Sequence, residues 1–121
     1  MYEIIFYEDE KGNNPVLKYL TELSKTNGKD SRVRLKKVQD YINLLKNYGK
    51  TVGEPCMKHL DGDIWELRPQ RDRILFAGVI DGAFVLLHHF VKKTQKTPKR
   101  EIDQAKRELA DFKKRSGIDE H

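Results

Sequence analysis

Arg68 and Arg73 flank the turn Pro69-Gln70-Arg71-Asp72, and Lys92, Lys93, Lys96, Lys99 and Arg100 crowd into nine residues downstream, with Gln95 among them. A guanidinium grips two phosphate oxygens at once, stays charged, and stabilises charge building on phosphorus. Ammonium groups add point charges beside it. Glu66, two residues before Arg68, suits an ion pair with the arginine better than a catalytic role. Histidine, the side-chain type that titrates near neutral pH, stands at position 88. Such a set can bind a polyanion and, with a proton acceptor, support displacement at phosphorus. The competing interpretation is a solvated hairpin tip.

The elements that must position these groups lie between Ile64 and Pro98, which reads as three consecutive strands. The first turn pairs Arg68 with Arg73 and Glu66 with Leu75. Asp81-Gly82 suits a two-residue hairpin, since both positions need positive φ, and it pairs Ile80 with Ala83. Counting onward puts Leu75 opposite His88 and Arg73 opposite Phe90. Alternation then gives one face Glu66, Arg68, Arg73, His88 and Phe90, with Leu86, Val79 and Phe84 further down. The other face takes Trp65, Leu67, Ile74, Phe76, Val85, Leu87 and His89. Two opposed arginines at the solvent end of a sheet repel unless an anion lies between them. Local rules are often broken at functional spots.

The lysine run emerges at the same end and leads into a helix with Thr97 as expected N-cap and Pro98 at its first position. Lysines oppose the macrodipole there, whereas basic side chains beside free N–H groups suit phosphate. Lys58, approaching the sheet, is a further candidate contact.

Elsewhere the pattern gives a strand over Tyr2–Tyr7 and a helix opened by Asn14-Pro15, with Val16, Leu20 and Leu23 on one stripe. Gly28 breaks it. A longer helix from Asp30 or Ser31 carries Leu35, Val38, Ile42 and Leu45 and stops at Gly49. A looser stretch, Lys50–Lys58, leads to a short strand near Met57–Leu60. The last helix runs from Pro98 to about Arg115, with Ile102, Ala105, Leu109 and Phe112 inward, before a frayed tail over 117–121. Tyr41, Tyr48 and Trp65 suit packing. The expected order is β-α-α-β-β-β-α: an α+β domain, residues 1–121, with two N-terminal helices and a C-terminal helix on a curved, mostly antiparallel sheet.

With 36% charged residues and a net charge of +5, the chain suits nucleic acid or an acidic protein. No apolar run approaches the ~20 residues that cross a membrane, and no signal-peptide core is evident. A cytoplasmic protein without membrane contact is expected. Cys56 is the only cysteine. His59, His88, His89 and His121 fit no common ligand spacing, so neither metal nor cofactor is expected.

The WELRP…RILF hairpin and the run LLHHFVKKTQKTP, followed by Glu101 and Ile102, resemble the HigB-like toxins of the RelE/ParE superfamily and a related family found in phages. The likeness spans roughly Tyr2 to Phe112. His89 stands where glycine is usual. The resemblance implies the toxin of a type II toxin–antitoxin module: an endoribonuclease cutting messenger RNA in the A site of the ribosome's 30S subunit. It implies metal-independent attack of a ribose 2′-hydroxyl on the adjacent phosphate. The implied partner is a HigA-like helix-turn-helix antitoxin, and operator DNA is met only through that complex.

By the same resemblance Arg68 and Arg73 stabilise the phosphorane. Lys93 and His88 join them as catalytic candidates, Glu66 supports the arginines, and Lys58, Lys92, Gln95, Lys96, Lys99 and Arg100 contact RNA. The proton acceptor stays open between His88, Lys92 and Lys93. Two rival functions also stay open: a gyrase-directed toxin without nuclease activity, and a basic adaptor that binds without cutting.

Overall fold

In the computed structural model, which describes residues 1–117, one five-stranded sheet separates a helical pair from a single C-terminal helix. The strands are β1 (Glu3–Phe6), β2 (Met57–Asp61), β3 (Ile64–Leu67), β4 (Asp72–Val79) and β5 (Ala83–Val91). They lie in the order β1-β5-β4-β3-β2, with β1 parallel to β5 and the other pairs antiparallel. The helices are α1 (Pro15–Lys25), α2 (Lys29–Tyr48) and α3 (Lys99–Arg115). This is the α+β architecture the sequence implies, consistent with a RelE-like fold. No described helix is long and apolar enough to cross a membrane.

Helix boundaries follow local chemistry. Asn14 caps α1 by accepting from the Leu17 N–H, with Pro15 next in line. Gly49, at φ 65°, ends α2, and its N–H donates to the Leu45 carbonyl. A Cβ there would sit 2.9 Å from the Tyr2 ring, so glycine also lets β1 approach α2. The start of α3 differs from expectation. Pro98 is the N-cap and no side chain caps the helix; the Thr97 hydroxyl is engaged elsewhere.

Two cores flank the sheet. Val16, Val38, Ile42 and Leu45 from the helical pair meet Met57, Leu67, Ile74, Phe76, Phe84 and Leu86. On the opposite face Ala105 and Leu109 of α3 meet Ile64, Leu75, Ala77, Val85 and Leu87. Full burial of a large apolar side chain is worth about 1.5–3 kcal/mol, so these two layers hold the sheet between its helices. Tyr41 and Trp65 pack against the first core, as expected, but Tyr48 is 60% exposed.

The β4–β5 hairpin corrects the expected register. Its loop has three residues, Ile80–Gly82, and Val79 rather than Ile80 pairs with Ala83. A bulge between Leu75 and Phe76 absorbs the extra residue on β5. Beyond it, Leu75 faces His88 and Arg73 faces Phe90, as counted from sequence. The β5 residues below the bulge therefore exchange faces, while Phe76 and Val79 of β4 keep the faces expected. Phe84 and Leu86 join the α1/α2 core, and Val85 and Leu87 join the α3 core. The tail from residue 118 on, including His121, lies outside the described residues.

Candidate functional site

The turn between β3 and β4 closes through the Asp72 N–H and the Pro69 carbonyl, with Gln70 at φ 56°. Arg73 turns back beneath it. Its Nη1 donates to the carbonyls of Gln70 (2.6 Å) and Asp72 (2.9 Å). The residue is 5% exposed, so the expectation that both arginines stand at the solvent end fails for Arg73. Two carbonyls facing inward at the tight turn give the guanidinium a reason to be there.

Glu66, itself buried, answers the repulsion between the arginines. Its Oε1 lies 3.4 Å from Arg68 Nε and 3.8 Å from Arg73 Nε, and its Oε2 accepts from the Thr97 hydroxyl at 2.5 Å. The anion between the arginines is thus supplied by the chain. It does not saturate them: Arg68 Nε is buried without a hydrogen-bond partner. Burial lowers the Arg73 pKa; Glu66 opposes that effect and Arg68 adds to it.

The segment leaving β5 is tied to Glu66 through Thr97 and lies between two clefts. On one side, a cleft of about 360 Å³ is lined by Arg73, Phe90, Lys92, Lys93, Arg100 and Glu101, among others. On the other, a cleft of about 150 Å³ is lined by Lys58, Glu66, Arg68 and Ile102. Gln95, Lys96 and Thr97 border both. A shallower hollow joins Arg71 to Lys92 and Lys93. Most of the cationic candidates therefore converge, but Lys99 does not: it pairs with Asp103 on the exposed side of α3.

His88 lines neither cleft. It lies under α3, with Nε2 2.8 Å from Glu101 Oε1 and Nδ1 3.9 Å from Glu108 Oε1. This arrangement reveals two acids that inspection of the sequence missed. Glu101 reaches the large cleft from the first turn of α3 while engaging His88. Glu108 is buried, and burial pushes its carboxyl up to about 7 although Gln104 and Arg107 pull it down. The helical spacing of Glu101 and Glu108 was legible; their inward orientation toward a histidine was not. Among the described residues no group of three His, Cys, Asp or Glu side chains converges to hold a metal.

A second network fixes the turn from the opposite face. Asp72 accepts from the Tyr19 hydroxyl (2.7 Å), from Arg34 Nη2 (2.8 Å) and lies 3.1 Å from His89 Nε2. The His89 ring stacks on Tyr19 with centroids 3.5 Å apart. Burial pushes the Asp72 carboxyl up, but hydrogen bonds from His89, Arg34 and Tyr19 outweigh that and hold it well below the usual carboxylate range. Asp72 thus ties α1, through Tyr19, and α2, through Arg34, to the strand that carries Arg73, and His89 braces the α1 contact.

Fold and site define a RelE-like α+β scaffold with a buried arginine at the edge of a lysine-rich cleft. The family model described as Phage derived protein Gp49-like (DUF891) matches residues 18–110, and the chain belongs to that family, which is toxin-like and associated with toxin–antitoxin systems. A search of curated proteins found no match.

Proposed function

We propose that this protein is a HigB-like toxin of a type II module: a metal-independent endoribonuclease that cuts messenger RNA in the ribosomal A site. In this proposal residues 1–121 act as one domain in the cytoplasm, and a HigA-like antitoxin neutralises it. Arg73 carries the proposal. A guanidinium tied through Nη1 to two backbone carbonyls is oriented before any ligand arrives, and it borders a cleft rich in lysine. Preorganised donors of this kind stabilise a transition state without reorganising during the reaction.

The chemistry assigned to the cleft is an internal phosphoryl transfer. The ribose 2′-oxygen attacks the adjacent phosphorus, and the bond to the 5′-oxygen breaks. The products are a 2′,3′-cyclic phosphate and a 5′-hydroxyl end. Arg73 and its neighbouring lysines hold the charge on the phosphorane. Glu101, steadied by His88, accepts the 2′-hydroxyl proton. Lys93 donates to the departing oxygen. His88 then acts as a positioning residue rather than the direct base, because Glu101 stands between it and the cleft.

The test is induced expression in bacteria with 5′-end mapping of transcripts, wild type beside Arg73→Lys. In-frame cuts confined to translated regions, and absent from the variant, support the assignment. Growth arrest with intact transcripts replaces it with a gyrase-directed toxin; no arrest replaces it with a binding adaptor.

A further inference from the structure

We propose that the two clefts flanking Gln95–Thr97 are successive phosphate subsites for one single-stranded RNA, which crosses over that segment. This rests on the assignment of the Arg73 cleft to RNA. The dividing segment is pinned from beneath by the Thr97–Glu66 hydrogen bond and braced within itself by the Thr94 hydroxyl, which donates to the Lys96 carbonyl. It is therefore a wall with a cleft on each side.

Each cleft has its own cations. Arg73 and Lys93 serve the larger, Arg68 and Lys58 the smaller, and Lys96 borders both. Lys58 pairs across β2 and β3 with Glu66, which places it on the same sheet face as the arginines. Glu66 offsets one of the two arginine charges, so a phosphate in the larger cleft alone leaves the smaller cationic. Arg68, held through its Nε 3.4 Å from Glu66, lines the smaller cleft beside Lys58. A strand with phosphates on both sides of the wall answers both clefts.

The arrangement favours a flexible strand. The larger cleft offers about 360 Å³ and the smaller about 150 Å³, and each lies open at the surface beside its own cations. A stiff A-form duplex presents its backbone as a fixed surface and cannot dip to either side of a wall. Single strands follow cationic grooves by bending.

The experiment titrates isotope-labelled protein with uncleavable 2′-O-methyl oligonucleotides, a dinucleotide and a tetranucleotide, followed by NMR. The dinucleotide should shift amides near Lys93 and Arg100. The tetranucleotide should also shift those near Lys58 and Arg68 and bind more tightly. Lys58→Ala should weaken only the tetranucleotide and reduce its salt slope by about 0.7, the value for one lost single-strand phosphate contact. Lys58 is exposed, and an unchanged melting temperature verifies that the variant folds. Equal affinity for both probes, an equal effect of Lys58→Ala on both, or no binding overturns the subsites. Lys58-dependent binding by a protein that leaves transcripts intact would refute the nuclease assignment while preserving the subsites.

Discussion

On the α1/α2 side of the sheet, buried Asp72 is met by a phenol, a guanidinium and an imidazole from three different elements. On the α3 side, Glu66 sits between two arginines at longer separations, and the buried Arg68 Nε and Glu108 Oε1 make no hydrogen bond, their charged neighbours lying 3.4 and 3.9 Å away. The same sheet thus saturates charge on one face and leaves it undersatisfied on the other. A saturated network stabilises a fold and fixes a turn. Undersatisfied donors cost stability unless a ligand completes them. The contrast separates the face that holds the turn from the face proposed to use it.

The largest effect should come from the saturated face. Asp72→Ala removes the common acceptor of Tyr19, Arg34 and His89 and should destabilise by about 3–5 kcal/mol at pH 7, read by chemical denaturation. Because the folded-state pKa of Asp72 is depressed, its contribution exists above the unfolded value and is lost as pH falls through the folded one. The gap between variant and wild type should therefore close in acid. A loss below about 1 kcal/mol at neutral pH, the scale of an exposed ion pair, would break the contrast.

Arg73→Lys addresses the other face. It keeps a charge but loses the fork, so it should remove about 2–4 kcal/mol of transition-state stabilisation while the protein stays folded. Cleavage assays beside thermal melts distinguish the two effects. Unaltered cleavage by this variant would remove Arg73 from the proposed chemistry.

Glu108 should contribute a smaller, pH-dependent effect. Its folded-state pKa is raised from 4.5 to about 7 by burial, with Asp9 adding to the rise. A raised pKa stabilises the fold fully below the unfolded value, and that contribution is lost as pH climbs through the folded one. Glu108→Gln should flatten this dependence, making the variant more stable than wild type at pH 8 by on the order of 1–3 kcal/mol. Near pH 4 the advantage should vanish. Identical pH profiles would mean that burial does not raise the Glu108 carboxyl.

The sequence revealed the sheet's working end because a four-residue turn and strand parity are local. It therefore placed Arg73 across from Phe90 and His88 across from Leu75. The bulge on β5 stayed hidden, since Asp81-Gly82 suits a two-residue turn as well as the observed three-residue one. That exchanged Phe84 and Leu86 with Val85 and Leu87 between faces. The Asp72 network was invisible for a different reason. Tyr19 and Arg34 reach Asp72 from helices far away in sequence, and no spacing encodes such a contact. Glu101 was passed over because a carboxylate in a first helical turn already has an ordinary dipole role.

Thr97→Val gives the finest test of the contrast. Thr97 was expected to cap α3, but its hydroxyl donates to Glu66 at 2.5 Å while Pro98 occupies the cap position. Removing a cap would loosen the helix start; removing this bond instead frees one oxygen of a buried carboxylate that already lies between two arginines. The expected loss is about 1 kcal/mol, with helix content unchanged by circular dichroism. Glu66 should then be free to move closer to Arg68 or Arg73, strengthening the internal pair and weakening RNA binding beyond what the stability loss explains. Weaker binding with intact helix content would show that the latch keeps the arginines available. Unchanged binding would confine Thr97 to holding the wall.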